Sequence, residues 1–261
     1  MIIRFSINRE LPNGTRLRAE LRRLAIRHGL RVVTRGRADV IVSVGGDGTL
    51  LRTVREFPSS PVVGFNLGGL GYLSSVGRDE LDDAMGKLAT RRFRISARTM
   101  LEGDGRFTAL NDIVVVREQS GRSARLDLSA DGRLVARYMA DGLIFSTPTG
   151  STAYSLAAGG PVVMPDLQGI VVTAMNPHAL GVRPLVVSDR ARFTVTVRPR
   201  TAGNVMKTGV YADGEHVMTL AAGKSVTIER SRQTAKIVEL EGYDPYGVLA
   251  RKLGWSGSNV R

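Results

Sequence analysis

The chain contains no cysteine. That rules out disulfides and thiolate metal sites and suits a cytoplasmic enzyme. Histidine is almost as scarce: His28, His178 and His216 stand far apart, without the spacing of a metal site. Aromatic residues make up only 5%, and there is neither a basic tail nor an aromatic-interleaved basic stripe. No uninterrupted apolar run approaches membrane-spanning length, and the opening Met1-Ile2-Ile3-Arg4-Phe5-Ser6-Ile7 reads as a strand rather than a leader. Acidic residues are outnumbered, 24 against 37 basic ones, for a net charge of +13, and the excess is mostly arginine. Basicity of this size favours anionic partners. The arginines are nevertheless scattered, from Arg16, Arg18, Arg22, Arg23 and Arg27 to Arg190, Arg192, Arg198 and Arg200. A solvated, arginine-coated surface is the simpler reading and nucleic-acid binding the minor one.

What remains is ordinary for a globular enzyme: 261 residues, 43% hydrophobic and 23% charged, enough for one large domain or two modest ones. Strands are expected at 2–7, 30–33, 38–44 and 61–66, and helices at 15–28, 49–57 and 79–90. That alternation argues for an N-terminal parallel-sheet, Rossmann-like α/β domain over residues 1–93. From about Arg92 short alternating runs follow one another at 94–101, 107–116, 124–129, 134–139, 143–146, 169–173, 192–197, 207–211, 224–229 and 234–240. Gly103-Asp104-Gly105 and Asp131-Gly132 mark hairpins, so residues 94–241 read as an antiparallel β domain. A last helical stretch, 246–253, is expected to pack back on the first domain with the rest of 242–261.

Two stretches carry chemistry. In Val40-Ile41-Val42-Ser43-Val44-Gly45-Gly46-Asp47-Gly48-Thr49-Leu50-Leu51 a buried strand runs into a glycine turn and a helix start. Glycine lets backbone amides approach a phosphate closely, and the helix start adds unpaired donors and a positive dipole end. Asp47 is the odd part, since its charge repels phosphate unless a metal or a proton transfer justifies it. A helix cap by Asp47 or Thr49 is the structural alternative, and at this point both stand. A second glycine-rich turn, Asn66-Leu67-Gly68-Gly69-Leu70-Gly71-Tyr72-Leu73-Ser74, ends the next strand and should lie beside the first.

The other stretch runs from Asp141-Gly142 through Ser146-Thr147-Pro148-Thr149-Gly150-Ser151-Thr152-Ala153-Tyr154-Ser155-Leu156-Ala157-Ala158-Gly159-Gly160-Pro161. Capping accounts for one of Thr149, Ser151 and Thr152, but not for three hydroxyls beside a helix surface as bare as Ala153, Ala157 and Ala158. A flat ligand lying on that surface would need both. Tyr154 suits either stacking on a base or filling core.

With these motifs, Leu110-Asn111-Asp112, Asn176-Pro177-His178-Ala179-Leu180, Arg183-Pro184-Leu185, Asp213-Gly214 and Arg251-Lys252-Leu253-Gly254-Trp255, the chain resembles the NAD kinases along nearly its whole length. The resemblance implies phosphoryl transfer from ATP, or from polyphosphate, to the 2′-hydroxyl of the adenosine ribose of NAD, in a site where the two domains meet. It makes Asp47 the general base. Gly45, Gly46, Gly48 and Thr49 would receive the donor phosphates. Gly48, Tyr72, Asn111, Asp112, Asp141, Thr149, Thr152, Ala153, Tyr154, Ala157 and Asp213 would hold NAD, with Asp141 and Asp213 toward its nicotinamide half. No residue is assigned to metal; Mg²⁺ or another divalent cation is expected on the ATP phosphates. A homodimer or homotetramer is implied, with no membrane partner. Ala157 stands where many members carry Ser, and Met139 where some carry Arg two residues before Asp141. His178 is expected to serve structure beside Pro177. The alternatives are a lipid or sphingoid-base kinase sharing the glycine-aspartate turn, and a non-catalytic nucleotide- or nucleic-acid-binding module.

Overall fold

The computed structural model describes residues 1–11, 14–69, 71–118, 123–199 and 207–255. Leu70 of the second glycine turn, Arg200, and residues 256–261 of the expected C-terminal packing segment lie outside the described residues. The chain forms two compact units, Met1–Ala97 with Ala235–Arg261, and Arg98–Thr234. Divisions were expected from the sequence at 93/94 and 241/242; the compact units instead divide after Ala97 and before Ala235.

In the first unit β1 (Ile2–Ile7) is followed by α1 (Gly14–Arg27), which buries Leu17, Leu21 and Ala25 and leaves its arginines outside. Gly29, at φ +76, ends it as a left-handed cap, and the Leu30 amide returns to the Ala25 carbonyl at 2.9 Å. Next come β2 (Arg31–Val32), β3 (Val40–Val44), α2 (Asp47–Glu56), β4 (Val62–Phe65) and α3 (Leu81–Ala89). The strands pair in parallel in the order β2-β1-β3-β4. All five residues of β3 and all four of β4 are buried, as a sheet covered on both faces requires. Helix α2 begins at Asp47, two residues before the expected start.

The chain enters the second unit along β5 (Phe93–Gly103). There follow β6 (Phe107–Ala109), β7 (Asp112–Arg117), β8 (Ala124–Ala130), β9 (Arg133–Ala140) and β10 (Gly142–Ser146). A 3₁₀ turn over Thr149–Thr152 leads to the one-turn helix α4 (Tyr154–Ala157), then β11 (Gly169–Met175), β12 (Leu185–Ser188), β13 (Phe193–Val197), β14 (Thr208–Ala212) and β15 (Glu215–Leu220). One antiparallel sheet has the order β12-β11-β10-β7-β14-β15. Strands β9, β8 and β13 form a second layer with the first half of β16 (Ser225–Leu240). Ile113, Leu143, Phe145 and Val210 of the first layer share one core with Leu126, Leu128, Phe193 and Ile228 of the second. The tail of β16 belongs to the first unit, where Ile237 pairs with Val62, and α5 (Pro245–Leu253) follows it there.

Four expectations change. The run 107–116 splits at Leu110-Asn111, because the amides there bond to a side chain instead of a strand. The runs 224–229 and 234–240 are one strand of 16 residues. Strands β12 and β15 were unexpected; both are short edge strands that are largely half-buried or exposed. The small-residue helix is a single turn. Both expected hairpins form, with Asp131 at φ 49 and Gly132 at φ 77 supplying the left-handed pair that joins β8 to β9.

Candidate active site

The first unit supplies the glycine-aspartate turn. Strands β3 and β4 are neighbours, so both glycine loops leave the same end of the sheet, and a single side chain ties them together. Asp47 Oδ2 accepts the Tyr72 amide at 2.8 Å. Its Oδ1 accepts the Leu73 amide at 3.2 Å, the Ser74 amide at 2.9 Å and the Ser74 hydroxyl at 2.5 Å. The capping alternative is thereby overturned. Gly46 holds the N-cap position of α2 with no side-chain cap bond, and the Asp47 carboxylate turns away from its own helix to the next loop. Thr49 is buried within the first turn and makes no cap either.

The glycines divide by cause. Gly45 sits at φ +147, and a Cβ there would run into the Thr49 side chain, so the fold itself demands glycine. Gly71 must be glycine because a Cβ would strike the Asp47 carboxylate and the Ser74 hydroxyl. Gly46 and Gly48 have neither reason: nothing lies within 4 Å of a Cβ built on them, and neither has a positive φ. Bare backbone with space beside it, at the first turn of a ten-residue helix, is a surface that a phosphate can reach. Behind it, the Thr53 hydroxyl donates to the Thr49 carbonyl and shares a hydrogen bond with the Ser43 hydroxyl, fixing α2 on β3. Tyr72 lies under the ammonium of Lys252 on α5, 5.6 Å from its ring centre. Burial, and the Asp47 charge after it, raise the Tyr72 phenol above its ordinary range.

The second unit gathers most of the residues assigned to NAD. Asp213, at φ 47 beyond the end of β14, receives the amides of Leu110 at 2.9 Å, Asn111 at 2.7 Å and Asp112 at 3.2 Å. These are the bonds that interrupt the expected strand. The Asn111 carbonyl is taken by the Thr147 amide at 2.9 Å, and the Thr147 hydroxyl donates to the Leu110 carbonyl at 2.6 Å. The backbone of Asn111 is thus clamped, while its side-chain Oδ1 is buried with no hydrogen-bond partner among the described residues. An orphaned buried acceptor of this kind is a place for a donor from outside the chain.

Asp112 is 5% exposed. Its carboxyl is pushed up to about 7, first by burial and then by the Asp213 charge, with the Tyr154 amide bonding to it pulling the other way. The hydroxyl cluster sorts itself too. The Gly150 amide donates to the Thr147 hydroxyl oxygen, so none of Thr149, Ser151 and Thr152 is the cap that was expected. Ser151 is fully buried and bridges the Pro148 and Val163 carbonyls, and Thr152 donates to the Thr149 carbonyl. Ala157 and Tyr154 are exposed and Ala153 partly so. Tyr154, 45% exposed, does not fill the core.

Asp141 lies elsewhere on this unit, at the other end of β10. Arg117 bonds it at 2.6 Å and the Asn176 amide at 3.0 Å, and these two partners, in that order, hold its carboxyl below the usual range. Nearby, His178 bonds Ser123, and its amide donates to the Met139 carbonyl. Sequence reasoning assigned no role to Ser74, Thr147 or Arg117. Each meets its partner across strand pairing, at separations of 24 to 37 residues that no local pattern reports.

A parallel α/β unit presenting a carboxylate among phosphate-accessible glycines, in one chain with a β unit offering a clamped polar cradle, defines a nucleotide-dependent phosphotransferase. The ATP-NAD kinase N-terminal domain model matches residues 9–93 and the ATP-NAD kinase C-terminal domain model residues 110–240. The chain belongs to the ATP-NAD kinase family. It is 38% identical to the NAD kinase of Syntrophotalea carbinolica over 84% of this chain and 79% of that one. With the NAD kinase of Gemmatimonas aurantiaca it shares 40% over 85% and 80%. Among solved structures, an NAD kinase from Archaeoglobus fulgidus in complex with ATP is similar at a TM-score of 0.82 and 26% identity, over 98% of this chain and all of that one. Yeast NADH kinase complexed with NADH shares the fold at a TM-score of 0.86 and 24% identity, over 99% and 88%. The lipid-kinase and binding-module alternatives gain no support from any of these.

Proposed function

We propose that the chain makes NADP by transferring the terminal phosphoryl group of ATP to the 2′-hydroxyl of the adenosine ribose of NAD, with Asp47 as general base. The observation that carries this reading is the Asp47 carboxylate, held by four hydrogen bonds from residues 72–74 at the mouth of a bare glycine turn. A ribose hydroxyl attacking phosphorus must lose its proton. The new oxygen–phosphorus bond forms as the bond from the terminal phosphorus to the bridging oxygen breaks; ADP departs and the proton passes to Asp47. Fixed donors on both carboxylate oxygens keep it in place for that transfer, and the amides at the start of α2 would receive the donor phosphates.

In the same reading Asn111 Oδ1, Asp112, Thr149, Thr152, Ala153, Tyr154 and Ala157 cradle NAD, with Asp213 holding the Asn111 segment in shape and Asp141 serving the nicotinamide half. Mg²⁺ carried by the donor phosphates would neutralise their charge. The chain works as a homodimer or homotetramer, supported by apolar side chains left exposed at Leu134, Val135, Met139 and Val186. A cytoplasmic location suits its lack of cysteine. Among the described residues no helix is long and apolar enough to cross a membrane.

The test is direct. Purified protein with Mg²⁺, ATP and NAD is followed through an NADP-specific dehydrogenase, with polyphosphate and NADH substituted in parallel. Absence of NADP under every donor would overturn the reading.

A further inference from the structure

In the first unit Arg27, Arg78, Arg92 and Arg94 each face an acid, Asp82, Glu20, Glu241 and Glu239 respectively. Of the arginines there with no ion pair among the described residues, Arg16, Arg23, Arg31, Arg37, Arg91 and Arg251 lie apart, whereas Arg4, Arg9, Arg18, Arg22, Arg35 and Arg52 gather round two cavities. Arg4, Arg9, Arg18 and Arg52 line one cavity of about 430 Å³, and Arg18, Arg22 and Arg35 line a second of about 460 Å³. Both cavities include Phe5 and Arg18, so they adjoin. Among the described residues the one acid on either lining is Glu56, and no ion pair joins it to these arginines.

The groove lies where the sheet is incomplete. Strand β2 pairs with β1 through Ile2 and Ile3, so among the described residues the later half of β1 has no strand on that side, and Phe5 and Ile7 line the cavity there. A solvated surface intersperses charges of both signs. Six guanidiniums with no ion pair among the described residues, around two adjoining cavities, repel one another and are stabilised by an anion that spans them. Guanidinium forks suit phosphate oxygens. The channel offers no stacking platform for bases: Phe5 is buried, and Phe57 lies under the Arg4 guanidinium at 4.6 Å. Neither lining includes Gly46, Asp47 or Gly48.

We infer that this groove is a second anion site, separate from the glycine-aspartate turn, that binds an extended inorganic phosphate chain. Arg18 and Arg22 stand one turn apart on the exposed side of α1, so both can be reversed without touching the core.

The experiment titrates the purified full chain with long-chain inorganic polyphosphate at several salt concentrations, alongside orthophosphate and single-stranded RNA. The R18E/R22E double variant is expected to bind polyphosphate roughly a hundredfold more weakly, with a salt slope shallower by about two. An R106E/R133E variant, which changes net charge equally on exposed hairpins of the second unit, is expected to bind as the parent does. ATP-driven NADP formation is expected to persist in both. An R18Q/R22Q variant with an unchanged melting temperature repeats the measurement without new acids. No binding by the parent, an equal loss in the two charge-reversed variants, or equally tight RNA binding lost in parallel would each overturn the inference. So would a fall in ATP-driven turnover with R18E/R22E, since the groove would then belong to the donor site.

Discussion

The Ser74 hydroxyl donates to Asp47 Oδ1 at 2.5 Å, across 27 residues of sequence. With the amides of residues 72–74 it makes the carboxylate the clasp between the two glycine loops, so one side chain carries both loop geometry and chemistry. Separate substitutions can divide those two tasks.

Replacing Asp47 by Asn keeps the size and most of the acceptor geometry but removes the base. The kcat for NADP formation is expected to fall by roughly 10²- to 10⁴-fold, with the Kd for NAD, measured by calorimetry, changed little. Undiminished turnover would remove Asp47 from the chemistry.

Gly71→Ala acts on position alone. The added methyl meets the Asp47 carboxylate, which must shift, and misplacement of about 1 Å costs on the order of 10²-fold in rate. The carboxylate itself survives, so KM for NAD is expected to hold while kcat drops. A normal kcat would show that the clasp tolerates movement.

Asp112 gives a pH dependence of defined sign. Its carboxyl, pushed up to about 7 from the ordinary 3.8, stays protonated in the folded protein where the unfolded chain has already ionised. Between those values the folded state holds one more proton, so this group's contribution to stability falls as pH rises, by on the order of 4 kcal/mol across the window. Asp112→Asn should flatten that slope in denaturant titrations between pH 4 and pH 7, on the order of the window itself. Asp141, held low by Arg117 and Asn176, has the opposite sign. Its contribution is present above its unfolded value and lost as pH falls through its lowered one, a more acid window that does not overlap.

Asp213→Ala strands three backbone amides. An unsatisfied buried donor costs about 1–3 kcal/mol, and the Leu110 and Asp112 residues concerned are buried. Thermal melting is expected to show a loss of roughly 2–4 kcal/mol, with KM for NAD rising more than kcat falls, because the clamp on Asn111 loosens. A change in kcat alone would contradict a positioning role.

Much of this was readable before any coordinates. Periodicity located the buried strands around the glycine turn, the cap at Gly29, the hairpin at Asp131-Gly132 and the change from α/β to β character, since each depends on neighbours a few residues away. The residue types at 45–49 and 147–157 raised the expectation of phosphate and nucleotide chemistry. What the sequence left open was the duty of each polar group. Whether Asp47 capped a helix or faced a loop, whether Tyr154 filled core, and which hydroxyls the scaffold consumed were settled only by pairing β3 with β4 and β7 with β10 and β14. Those pairings bring together side chains and amides 24 to 103 residues apart. Hydrogen bonds form between neighbours in space, and no local pattern records which distant amide a carboxylate will meet. The arginines follow the same rule. Their number was plain in the sequence, but only the fold separated those beside an acid from those lining the open edge of β1.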